Sequence, residues 1–258
     1  MQYQAIITDL DGTALDSPQE KIVSVRLAEA VDKLESRGIM VCAATGRAET
    51  FAEPVIASMH LRHPAIISGG TRIIEPVSKR ELWRCGMNAE QMHAVTDVLR
   101  LKSYGCLWND YSEQDYLSGA WPIDKYDLYD STYFFEACFI PHDGVDEVVQ
   151  ALEVIPGLSI SVAVAQRPHM NDIHISSKDA TKEHAIYELE AIINVPKERM
   201  IGVGDARNDI HLFNAVGHKV AMGNAVAEVK EMADEVISSV QQDGLAEYFE
   251  RLAKELES

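Results

Sequence analysis

Short, wholly apolar runs alternate with amphipathic helical stretches at both ends of this chain, and few folds accommodate that pattern. AIIT (5–8), IMVCAAT (39–45) and AIIS (65–68) read as strands near the N-terminus. Between the first two, KIVSVRLAEAVDKLESRG (21–38) sets Val23, Leu27, Ala30, Val31 and Leu34 on one helical face, with Gly38 as its stop. Strands that are apolar on both faces need cover on both faces, which predicts a parallel sheet with helices on each side. The rhythm returns late in the chain. A helix over Lys182–Ile193 precedes MIGVGD (200–205), a helix from Asn208, KVAMG (219–223), a helix over Ala227–Ala233, EVIS (235–238) and a last helix after Gly244.

The middle of the chain breaks this rhythm. Ala89–Leu101 and Val145–Leu152 read as helices, and Tyr133–Ile140, Leu158–Val164 and Ile173–Ser176 as strands. All three tryptophans, Trp83, Trp108 and Trp121, fall here, alongside an aromatic-rich stretch from Tyr104 to Tyr129 that reads as core or rim of a separate unit. The chain is therefore expected to be an α/β domain, residues 1–80 and 179–258, interrupted by an insert over 81–178.

Charge narrows the function. With 41 carboxylates against 23 Lys plus Arg, the formal net charge is −18. A nucleic-acid binder needs a cationic footprint, so no nucleic-acid partner is expected. The four cysteines, Cys42, Cys85, Cys106 and Cys138, form no C-x-x-C pair and read as reduced thiols. No apolar stretch is long enough to cross a bilayer and no signal-peptide pattern opens the chain, so a cytoplasmic protein without a membrane partner is the expectation. The oligomeric state is left open.

Polar residues gather where the outer strands end. The first strand runs into Asp9 and Asp11, the second into Thr45-Gly46-Arg47, and a late one into Gly204-Asp205, with Asn208 and Asp209 following; Lys182 opens the helix after the insert. Open parallel sheets bind ligands beyond their carboxyl ends. Oxygen-only donors of this kind suit Mg²⁺ together with a substrate phosphate. A carboxylate attacking phosphorus with metal help is a known route of covalent catalysis.

DLDGT (9–13), ATGR (44–47), Lys182 and GDARND (204–209) resemble the four motifs of the haloacid dehalogenase superfamily, and residues 215–244 resemble its Cof-type small-molecule phosphatases. The resemblance implies a Rossmann-like parallel-sheet core with an inserted α/β cap domain that acts as a lid. It implies Asp9 as nucleophile and Asp11 as general acid and base. Mg²⁺ would be held by Asp9, the backbone carbonyl of Asp11, and Asp205, with support from Asp209. Thr45, Gly46 and Lys182 would bind phosphoryl oxygens, and Asn208 would orient the site. Lys178 competes with Lys182, which is preferred because Thr181 can cap its helix. Where the family often carries Asn-Gly-Ala after its third strand, this chain reads Ser68-Gly69-Gly70-Thr71, so Ser68 or Thr71 stands in or the contact is lost. In the insert, Arg167, His169 and Asn171 are candidate substrate contacts, with Trp108, Asn109 and Asp110 as rivals.

The expected activity is Mg²⁺-dependent hydrolysis of a small phosphorylated metabolite, a sugar phosphate or a phosphorylated cofactor, through an aspartyl-phosphate. A phosphomutase, which returns the phosphoryl group to a hydroxyl, is the nearest alternative. A receiver-like signalling protein that stores phospho-aspartate is the other.

Overall fold

The computed structural model describes residues 3–109, 111–126, 132–165 and 167–256. In chain order the first elements are β1 (Ala5–Thr8), α1 (Val25–Ser36), β2 (Met40–Ala43), α2 (Glu49–Ser58), β3 (Ala65–Ile67), β4 (Arg72–Ile74) and β5 (Glu81–Arg84). Then come α3 (Ala89–Lys102), β6 (Gly105–Trp108), α4 (Glu113–Leu117), β7 (Trp121–Pro122), β8 (Phe134–Pro141), α5 (Val145–Glu153), β9 (Leu158–Val164) and β10 (Met170–Ser177). The last are α6 (Lys182–Ile193), β11 (Met200–Gly204), α7 (Ile210–Asn214), β12 (His218–Ala221), α8 (Ala227–Met232), β13 (Glu235–Val236) and α9 (Gly244–Glu255). The chain divides into two compact units, Met1–Trp83 with Thr181–Ser258, and Arg84–Ala180. No helix among the described residues is long and apolar enough to cross a membrane.

The outer unit is built on a five-stranded sheet in the order β13-β12-β11-β1-β2, every pair parallel. β1 lies near its middle and all four of its residues are buried, as a strand covered on both faces must be. Helix α1 starts at Val25 rather than Lys21 because Ser24 takes the N-cap, its Oγ accepting the Leu27 amide at 3.0 Å. It turns Leu27, Ala28, Ala30, Val31 and Leu34 inward.

Other boundaries differ from the sequence reading. Asn208 lies in a 3₁₀ turn, Arg207–Asp209, and the α-helix begins after it at Ile210. The EVIS run keeps only Glu235–Val236 as strand. The AIIS run, read as one more parallel strand, pairs antiparallel with β4 in a small sheet β3-β4-β5, touching β2 through a single parallel bridge between Ala44 and Ile66. Helix α2, absent from the sequence reading, carries Pro54 in its interior, where proline normally ends a helix.

The inserted unit is an antiparallel sheet, β7-β6-β8-β10-β9, with its own apolar core. Trp108 stacks edge-on against Trp121 at 4.8 Å and Tyr126 at 5.1 Å, so the described part of the aromatic stretch is packing. Between β8 and β10 the register slips: Asn171 faces Ile140 but Ile173 faces Ala137, leaving Cys138 and Phe139 opposite Asp172. Phe139 takes φ +57°, an uncommon conformation for a bulky residue. The buried Asp172 stabilises this bulge: Oδ1 accepts the Phe139 amide at 2.8 Å and Oδ2 accepts the Tyr116 hydroxyl at 2.5 Å. Asp172→Ala orphans both donors and is expected to destabilise the insert by about 1–3 kcal/mol. Amide exchange across β8 and β10 measures this, and unchanged protection there contradicts the assignment.

Candidate active site

Three strands leave the core sheet side by side. Asp9 directly follows β1, Thr45 lies just beyond β2, and Asp205 directly follows β11. Thr8 is in register with both Ala43 and Val203, so these three ends share one edge. The Asp9 amide extends the ladder by donating to the Val203 carbonyl at 2.9 Å.

Helix α6 brings a cation to this edge. Thr181 Oγ1 accepts the His184 amide at 3.1 Å and fixes the helix start. Lys182, the first helical residue, then donates from Nζ to Asp9 Oδ1 at 2.6 Å and to Asp209 Oδ1 at 2.7 Å. All three side chains are at most 5% exposed, which makes this a buried ion triad and not a surface contact. Asp209 Oδ2 accepts the amides of Asp205 and Ala206, both at 3.0 Å, and so holds the turn that presents Asp205.

Ligating oxygens of Asp9, Asp205 and Asp209 lie within 4.8 Å of one another. Two glycines leave the room this requires. A Cβ on Gly12, at φ +79°, would stand 2.2 Å from Asp205 Oδ2, and one on Gly204 would stand 2.6 Å from the Asp209 side chain. Three carboxylates surround one ammonium, so two negative charges are left uncompensated. Burial, and then Asp209, push the Asp9 carboxyl upward against the pull of Lys182. Burial and Asp209 likewise raise Asp205, to about 6. Burial opposes the charge on Lys182, but Asp9 and Asp209 outweigh it and raise that group. A hard, all-oxygen donor set with two charges to offset fits a divalent cation such as Mg²⁺.

The side chain of Asp11 turns elsewhere. Its Oδ1 accepts Arg47 Nη2 at 2.6 Å, and Arg47 Nε reaches Oδ1 at 3.1 Å and Oδ2 at 3.0 Å. The guanidinium is itself fixed by the carbonyls of Glu20 (3.0 Å), Phe51 (3.3 Å) and Pro18 (3.1 Å). Arg47 was visible in ATGR as a polar strand end, but nothing local paired it with Asp11. Asn224 was missed as well. Its Nδ2 donates to the Gly12 carbonyl at 2.8 Å and to Asp205 Oδ2 at 3.3 Å, while Oδ1 accepts the Val240 amide at 2.9 Å. Its place just past KVAMG, at the same sheet edge, was the available signal.

The remaining candidates are placed as follows. Thr45 is buried, with Oγ1 accepting the Arg47 amide at 3.1 Å, and Gly46 is exposed. Ser68 and Gly69 clasp this loop, their amides donating to the Arg47 carbonyl at 2.8 Å and the Thr45 carbonyl at 3.0 Å. Thr71 is buried, and its hydroxyl has no hydrogen-bond partner among the described residues. Asn208 is exposed, without a described contact to the carboxylates, and Lys178 lies exposed in the inserted unit. In that unit Arg167 stacks over the Phe139 ring at 3.7 Å, His169 is exposed, and Asn171 meets His142 and donates to the Ala163 carbonyl at 3.1 Å. Asn109 accepts the Tyr133 amide at 3.0 Å, and Asp110 lies outside the described residues. A second cluster, Glu136, Cys138 and Asp172, has carboxylates already engaged by Tyr111, Tyr116 and the Phe139 amide.

Comparison with known proteins identifies the family. The family model for haloacid dehalogenase-like hydrolases matches residues 6–120 and 112–249. The chain is 28% identical to a 5-amino-6-(5-phospho-D-ribitylamino)uracil phosphatase, YwtE, of Bacillus subtilis (strain 168), covering 96% of this chain and 98% of that one. It is 24% identical to phosphoglycolate phosphatase 1 of Saccharolobus solfataricus, over 96% of this chain and 95% of that protein. Its fold matches a haloacid dehalogenase-like hydrolase from Bacteroides thetaiotaomicron with a TM-score of 0.80, at 23% identity and with 97% and 99% of the two chains covered.

The raised carboxyls carry a stability signature. In metal-free protein the folded chain keeps a proton on Asp205 between the ordinary 3.8 and about 6, where the unfolded chain has lost it. Stability therefore falls as pH rises through that window. Thermal melts in chelator are expected to show this decline and its continuation to about pH 8, where the raised Asp9 carboxyl loses its proton, and Asp205→Asn to remove only the part below about 6. Mg²⁺ at a hundredfold excess over its Kd should add about 2.7 kcal/mol, most clearly above the window. Melts that ignore both pH and Mg²⁺ contradict the charge count.

Proposed function

This chain belongs to the haloacid dehalogenase-like hydrolases, and from that premise we propose that it hydrolyses a small phosphorylated metabolite through an aspartyl-phosphate formed on Asp9. The observation that carries the reading is the placement of Asp9. It is buried at a strand end, hydrogen-bonded by Lys182, beside two further carboxylates able to share a cation.

In the first step a carboxylate oxygen of Asp9 attacks phosphorus, and the bond to the leaving oxygen breaks. Asp11 delivers a proton to that oxygen. In the second step Asp11, now a carboxylate, takes a proton from water as the water oxygen attacks the phosphorus. The bond to Asp9 breaks and inorganic phosphate leaves. Lys182 and Thr45 face the phosphoryl oxygens, and Gly46 lets that loop approach closely. Asn208 and Asn224 orient the surrounding turns. Mg²⁺ held by Asp9, Asp205, Asp209 and the Asp11 carbonyl would offset their charge and the charge spread over the phosphoryl group. Arg47, braced by three carbonyls, holds the Asp11 side chain in the free chain, and Asp11 leaves this ion pair and takes up a proton before the first step.

The leaving group is a small organic alcohol, of sugar-phosphate or phosphorylated-cofactor type. The names of the two curated relatives, a phosphoribityl-aminouracil phosphatase and a phosphoglycolate phosphatase, support this class. The inserted unit serves as the substrate-specificity domain, with Arg167, His169 and Asn171 as candidate contacts.

A phosphate-release screen over phosphorylated metabolites, with and without Mg²⁺, tests the proposal. Asp9→Asn is expected to abolish turnover and phosphate labelling of the protein while its native circular-dichroism spectrum is kept. Asp11→Asn should lower kcat by about 10²–10⁴-fold. Full turnover by Asp9→Asn protein would overturn the nucleophile assignment. Transfer to a second hydroxyl without phosphate release would instead make the chain a mutase.

A further inference from the structure

The sheet of the inserted unit has one long edge that is unguarded among the described residues, and we propose that two copies of this chain associate by pairing that edge, β9, with β9 of the second copy. Free strand edges are templates for pairing, and soluble proteins blunt them with short length, charge, proline or bulges. The other described edges are blunted in this way. β7 and β13 have two residues each, the four-residue β5 carries Glu81 and Arg84, and β2 and β3, only four and three residues long, meet each other at the Ala44–Ile66 bridge. β9 runs seven residues, LSISVAV, without a charge, a proline or a glycine. Its pairing with β10 is regular throughout, from Leu158 opposite Ser177 to Val164 opposite Asn171.

The ladder identifies the free groups. Lys178 donates its amide to the Gly157 carbonyl at 2.9 Å, and the Ala165 amide donates to Met170 at 3.1 Å. Hydrogen-bonded pairs alternate along an antiparallel ladder, so residues 157, 159, 161, 163 and 165 bond toward β10. Leu158, Ile160, Val162 and Val164 then direct their N–H and C=O groups outward. The side chains of these four share one face. Leu158 and Ile160 pack on the unit's core, whereas Val162 is 49% and Val164 85% exposed, continuing the apolar row past the core.

A second copy fits this edge better than an arbitrary strand. A two-fold axis at Ser161 pairs Ile160 with Val162 and Leu158 with Val164 of the other copy, apolar on apolar, and serine or alanine pairs on the opposite face. Each outward residue then exchanges both backbone hydrogen bonds. Charge agrees as well. Chains of net charge −18 repel, so approach favours a charge-free stretch. The strand is flanked by an exposed Glu153 before it and an exposed Arg167 after it. Antiparallel pairing sets the basic end of each copy against the acidic end of the other. The result is one continuous ten-stranded sheet, an isologous interface of the commonest symmetry.

Sedimentation equilibrium of the full chain, together with amide exchange, tests this. The mass is expected to double from 28.6 kDa as concentration rises. Over the same range the amides of Ile160, Val162 and Val164 should gain protection, while those of Ser159, Ser161 and Ala163 are protected at every concentration. The double variant Val162→Lys, Val164→Lys should stay at the single-chain mass with unchanged melting temperature and phosphate release. A wild-type chain that stays single up to saturation overturns the proposal. So does a dimer that survives the double variant, or one that forms without protecting the outward amides. These readouts do not depend on the proposed reaction.

Discussion

One ammonium shared between two buried carboxylates governs the catalytic unit. Lys182 cannot neutralise Asp9, Asp209 and Asp205 together, and the low-dielectric site magnifies the shortfall. Breaking a buried pair of this kind costs about 3–5 kcal/mol, because the charge left behind has no solvent to turn to. The unit therefore has reason to keep Lys182 in place and to leave room for a further cation. The glycines at 12 and 204 are part of the same solution, since any side chain there would occupy the space of Asp205 or Asp209.

Two carboxylates only two residues apart meet opposite surroundings. Asp9 points into the sheet edge and is held by a buried lysine, while Asp11 is partly exposed and held by an arginine braced from three backbone carbonyls. Environments that differ this much are how one short segment can supply both a nucleophile and a proton carrier. Past Asp11 the chain doubles back at Gly12, φ +79°, with the Thr13, Ala14 and Leu15 amides donating to the Leu10 carbonyl. Asn224 ties that turn to Asp205.

The inserted unit follows a different logic. Its buried polar groups are satisfied from within: Asp172 supports the bulge at Phe139, and Tyr111 and Tyr116 occupy the carboxylates that would otherwise resemble a second metal site. What it leaves open is backbone, along β9. The core sheet ends in a two-residue strand on one side and in the four-residue β2, bridged to β3 through Ala44 and Ile66, on the other.

Much of this protein follows from local pattern. The apolar runs at 5–8, 39–45 and 200–205 and the helical periodicity of 21–38 and 182–193 are set within a few residues, so strand ends and helix starts, and with them Asp9, Thr45, Lys182 and Asp205, could be read directly. Helix α2 has no such local signature: Pro54 is locally a breaker, and the helix buries Ala52, Val55 and Ile56 against the core. The tertiary structure alone decided the partners. That Asp9 meets Lys182, that Asp11 meets Arg47, that Asn224 reaches Gly12, and that AIIS turns back into a hairpin are matters of sheet register and loop closure. The hairpin joins neighbours, Ile67 to Arg72, but the other three contacts join residues tens to hundreds of positions apart, and no spacing within a helix turn or a strand repeat carries that information.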